Sequence, residues 1–121
     1  RLQNRTKIKN AKLEMENTEL TYQEAEKETL GDLALMYNSY ENNLLMVNFE
    51  IESADVAEDN LDAALEKYKI GSLSGIEFRE FQRSYIDAVD RKLSAIYQAK
   101  VSELSLLLLS GDIQGSFTGE W

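Results

Sequence analysis

The side chains most able to act on another molecule are carboxylates, grouped as Glu14 with Glu16 and Glu24 with Glu26 and Glu28. Closely spaced carboxylates can relay protons or hold a divalent cation. A carboxylate-bridged metal pair inside a helical bundle also draws on Glu-x-x-His, and this chain has no histidine. Cysteine is absent too, which removes disulfides, thiolate nucleophiles and zinc–thiolate sites. With histidine go the commonest general base and the commonest metal ligand. Most enzyme classes are therefore disfavoured, and a charged, solvated helix face is the better reading of these glutamates. No catalytic residue, cofactor or metal is expected.

The balance of the chain points the same way. Its 121 residues suit one domain or a piece of one, and 43% hydrophobic with 29% charged residues is ordinary for a folded protein. Asp and Glu number 22 against 13 Lys and Arg, a formal charge of -9 that repels phosphate backbones and anionic lipid, so nucleic acid is an unexpected partner. No apolar run approaches the roughly 18 residues that would span a bilayer, so this segment is not expected to cross one. The missing initiator methionine and signal-type start predict a mature or partial chain.

Long helices must position these side chains. Proline, the residue most damaging to a helix interior, is absent. Over residues 30–68 apolar side chains follow a seven-residue repeat, with Leu30, Tyr37, Leu44, Ile51 and Leu65 on one position. Leu33, Tyr40, Val47, Ala54, Leu61 and Tyr68 hold the other, and only Glu58 breaks the pattern. Alternating spacings of three and four keep one seam toward a partner helix, as in a coiled coil. Met36, Phe49, Val56, Ala57 and Ala64 lie off that seam and predict a second, partly apolar flank. Upstream, Ile8, Ala11, Met15, Tyr22 and Ala25 continue a thinner stripe. A helix over about 6–69 would be roughly 95 Å long.

Residues 70–75, Ile-Gly-Ser-Leu-Ser-Gly, then predict a turn. Gly71 suits the left-handed conformation that ends a helix. Ser74 suits the N-cap of the next, and Glu77 three residues on completes a Ser-x-x-Glu capping box. A shorter helix follows over about 75–109, with Phe78, Phe81, Tyr85, Ala88, Val89, Leu93, Ile96, Leu104 and Leu107 at helical spacing. The expected fold is all-α, an antiparallel helical hairpin over 1–110 with an irregular tail over 111–121. In such a hairpin, residues whose numbers add up to about 143 lie opposite one another. Gly111 would then sit level with Gly31, and the first helix would outrun the second.

The segment Tyr68-Lys69-Ile70-Gly71-Ser72-Leu73-Ser74, followed by Glu77, Phe78, Gln82, Ala88, Ala95, Leu104 and Gly111, resembles the TolC-like outer-membrane efflux protein family. That family has a Tyr-x-x-Gly-x-x-Ser/Thr turn, an acidic residue, a Gln and alanines seven apart. The step Asn10-Ala11-Lys12 resembles the start of its long helix, and Tyr37 and Tyr40 fall where aromatics are common. The resemblance covers residues 5–111 and corresponds to the helical hairpin of the second repeat, without the membrane strands. It implies a homotrimer in the cell outer membrane of a Gram-negative bacterium, this segment lying in the periplasm. The implied function is a passive exit duct for small-molecule efflux or type I-like secretion. Its partners would be a periplasmic adaptor (membrane fusion) protein and an inner-membrane pump.

The resemblance also assigns residues. Gly71, Ser72, Leu73 and Ser74 would form the tip that docks on the adaptor, against the plainer reading of a turn that needs glycine and a cap. Tyr68, Glu77 and Glu80 would lie at the channel constriction, where acidic side chains around a threefold axis favour cations. The plainer reading makes Glu77 a capping residue and Glu80 part of a solvated face. Leu73 stands where the family carries a basic residue. The rival from another class is a coiled-coil scaffold or oligomerisation module with no transport role. It needs one apolar stripe, whereas a tunnel wall needs two flanking contact faces and a polar lumen face.

Overall fold

The computed structural model describes the backbone of residues 1–118 and the side chains of residues 1–111. Within that span the chain is all-helical: α1 covers Leu2–Lys69 and α2 covers Gly75–Thr118. The chain divides into two units, Arg1–Leu35 and Met36–Trp121. Among the described residues no helix is long and apolar enough to cross a membrane.

The first unit is helix alone. Nearly every side chain in it is exposed, including Ile8, Met15 and Tyr22. Thr6, Thr18, Thr21 and Thr29 each donate their hydroxyl to the carbonyl four residues back, at 2.8–2.9 Å. That bond satisfies a β-branched polar side chain inside a helix without breaking it. Gly31 is also helical, and a β-carbon there would meet nothing within 4 Å.

The second unit is the hairpin. Residues 36–69 of α1 run antiparallel to α2, joined by the turn at residues 70–74. Glu50 pairs with Arg91, and the Asn43 amide donates to Ser102 Oγ. Both pairs fall within two residues of the register expected from the turn. The core between the helices is built of alanine: Ala54, Ala64, Ala88, Ala95 and Ala99 are each at most 7% exposed. Alanine's small side chain lets two helix backbones approach closely, but each buries little apolar surface. No large side chain among the described residues is fully buried, so the hairpin's internal core is thin.

Two features differ from the sequence-based expectation. The second helix does not stop near residue 109; it runs through Gly111 to Thr118, so the stretch 111–118 is helical and not an irregular tail. A glycine inside a helix costs about 1 kcal/mol relative to alanine, which weakens a helix without ending it, and no proline follows to force a stop. Residues 119–121 of that expected tail lie outside the described residues. The other difference concerns the seam. Tyr40, Val47, Ala54 and Leu61 are buried or half-buried as expected, but Tyr37, Leu44 and Ile51 are exposed at 50%, 41% and 38%. The position that joins the buried series is Asn43, Glu50, Ala57 and Ala64. In a two-helix unit, side chains lose exposure only to their own helix or to the other one. The second helix therefore packs on the smaller, more polar flank of α1.

Candidate functional site at the hairpin tip

The tip is assembled from local backbone chemistry. Gly71 has φ 81°, the left-handed region that side-chain-bearing residues rarely adopt. Its N–H donates to the Tyr68 carbonyl at 3.1 Å, and the Ser72 N–H donates to the Lys67 carbonyl at 2.9 Å. These are the paired bonds of a Schellman motif, which satisfies carbonyls left over at a helix end. The Ser72 hydroxyl adds a third bond to Lys67 O at 3.2 Å.

The start of α2 is closed as firmly. The Glu77 N–H donates to Ser74 Oγ and the Ser74 N–H donates to Glu77 Oε2, both at 3.1 Å. The capping box expected from Ser74 and Glu77 is present. Glu77 also sits in the first turn, where its charge complements the helix dipole. The two helix ends are then clamped by Tyr68 stacking on Phe78, with centroids 5.0 Å apart and planes 12° from parallel. Beside this stack lies a shallow groove of about 480 Å³, lined by Tyr68, Gly75, Ile76, Arg79 and Gln82 among others.

The residues assigned to docking are on the surface: Gly71, Ser72 and Ser74 are exposed and Leu73 is half-buried. Ile70 and Ile76, at 79% and 77% exposed, flank them and give the tip an apolar rim. The three residues assigned to a constriction are all exposed but are not joined. Tyr68 meets Phe78, Glu77 caps α2, and Glu80 lies 3.8 Å from Arg83, with no hydrogen bond among the three in the described residues. Lys69 similarly lies 3.5 Å from Glu66. The tip therefore carries both signs of charge, and Arg83 and Lys69 are part of its surface along with the acidic residues.

Sequence reasoning did not find the Glu50–Arg91 and Asn43–Ser102 pairs or the Tyr68–Phe78 stack. A signal existed for Glu50: it lies three residues after Val47 on the repeat, and the expected register brings it beside Arg91. Among the described residues, no three acidic side chains are grouped to hold a metal ion. No family model, curated protein or solved structure matches the chain.

Proposed function

We propose that the hairpin is a periplasmic wall segment of a TolC-like outer-membrane channel, a passive duct for efflux or type I-like secretion. The observation that carries this reading is the two-sided character of α1. One flank of its Tyr40, Val47, Ala54 and Leu61 spine holds α2, while the more apolar flank of Tyr37, Leu44 and Ile51 is exposed. A helix with apolar seams on two sides suits a wall in which every helix has neighbours left and right. The thin alanine core agrees, because it leaves the larger apolar side chains of α1 exposed for neighbours.

In this reading the tip is the contact for a periplasmic adaptor. Gly71 to Ser74 offer exposed backbone and hydroxyls, and Ile70 and Ile76 offer apolar surface for burial. Glu77 and Glu80, repeated around the axis of a trimer, would bias the mouth toward cations, with Arg83 moderating Glu80. Energy would come from a separate inner-membrane pump. The rival is a scaffold that only oligomerises, and the test separates the two. Protein made from the complete reading frame, added to planar lipid bilayers, is expected to conduct with cation preference, and Glu80→Gln to weaken that preference. Stable oligomers that never conduct would favour the scaffold.

A further inference from the structure

The flank of α1 that α2 covers is the less apolar of two on offer. Tyr40, Val47, Ala54 and Leu61 form a spine common to both. On one side stand Tyr37, Leu44 and Ile51, all exposed, with Leu65 half-buried nearer the turn; on the other stand Asn43, Glu50, Ala57 and Ala64. Apolar burial alone would place α2 against the leucines and isoleucine. It lies against the alanines instead, and it buries a carboxylate to do so: Glu50 is 7% exposed.

We propose that the Glu50–Arg91 and Asn43–Ser102 pairs select the flank of α1 on which α2 packs. The Gly71 turn aims the first residues of α2, but both pairs lie several helical turns from it, where a small change of direction would carry α2 to the other flank. There Glu50 accepts from Arg91 Nε at 3.3 Å, and Asn43 donates to Ser102. Neither bond can form if α2 lies against Leu44 and Ile51. A buried polar group that is satisfied in one arrangement and orphaned in the other separates two packings more sharply than apolar contacts of similar area. Polar residues at core positions of coiled coils fix register and partner in the same manner. The effect keeps Tyr37, Leu44 and Ile51 uncovered. This inference concerns the hairpin alone and does not depend on the transport reading.

The absence of cysteine makes the test direct. Single cysteines are introduced as Leu44→Cys on the outer flank and Ala57→Cys on the inner one. Maleimide labelling is followed at a dilution where the chain is monomeric. In the parent, position 44 labels several-fold faster than position 57. Replacing Asn43, Glu50 and Arg91 together by alanine is expected to reverse that order. An unchanged order in a helical variant would show that close alanine packing alone chooses the flank, and would overturn the proposal. If the triple variant loses helicity by circular dichroism, Arg91→Glu and the exchange Glu50→Arg with Arg91→Glu decide. Protection at position 57 lost in the first and restored in the second supports the proposal, and any other pattern overturns it.

Discussion

Arg91 Nε lies 3.3 Å from Glu50 Oε2, yet the two side chains stand in different surroundings: Glu50 keeps 9% of its exposure and Arg91 keeps 56%. The carboxylate is held between α1 and α2, while the arginine side chain that reaches it stays more than half exposed. The pair is thus unequal in what each partner loses when the other is removed.

Arg91→Ala leaves a buried carboxylate without its donor and is expected to destabilise the hairpin by about 1–3 kcal/mol. Glu50→Ala extends an alanine seam and frees an arginine that is already half solvated, so its cost should be clearly smaller. Urea unfolding followed by circular dichroism measures both. Equal losses would mean that the ion pair behaves as an ordinary surface bridge.

At the tip, Gly71→Ala forces a β-carbon into the left-handed region and is expected to cost about 1–2 kcal/mol. No neighbouring atom lies within 4 Å of the added carbon, so the cost is purely conformational. Gly31→Ala, in open helix, should instead stabilise by about 0.5–1 kcal/mol. Opposite shifts in thermal midpoint are the expected result, and shifts of the same sign would show that the turn does not hold Gly71 in its positive-φ state in solution.

Ser74→Ala removes the acceptor for the Glu77 N–H and should cost about 1 kcal/mol. Glu77→Gln keeps the reciprocal bond to the Ser74 N–H, because a glutamine carbonyl also completes the box. Its stability should therefore change by only a few tenths of a kcal/mol, the size of a lost interaction with the helix dipole. A large loss in Glu77→Gln would mean that the charge, and not the hydrogen bond, holds the start of α2.

The hairpin and its turn were legible in the sequence because their determinants are local. Gly71, Ser74 and Glu77 act within a few residues of themselves, and α1 follows from a heptad pattern over residues 30–68 and a proline-free stretch before it. The choice of flank was not legible, since a repeat ranked by hydrophobicity selects Leu44 and Ile51, whereas packing here ranks by size and by polar complementarity. Glu50 and Asn43 count as interruptions until Arg91 and Ser102 are opposite them. The end of α2 was misplaced for a different reason: Gly111 carries the composition of a stop, but nothing beyond it compels one. Of the tip residues, the sequence placed Ser74 and Glu77 together correctly. It did not reveal that Tyr68 stacks on Phe78, a contact that depends on how the turn brings the two helix ends together.

The exposed flank of α1 makes the sharpest demand on the molecule. Tyr37, Leu44 and Ile51 line up on one heptad position outside a hairpin whose own core is mostly alanine, and an aligned apolar stripe of this kind marks a surface for association. Sedimentation equilibrium of this chain, with helicity followed in the same samples, is the direct measurement. Association is expected, together with conversion to a helical monomer when Tyr37, Leu44 and Ile51 are replaced by glutamine. A parent chain that is monomeric at high concentration with its helicity intact would contradict the two-sided role of α1.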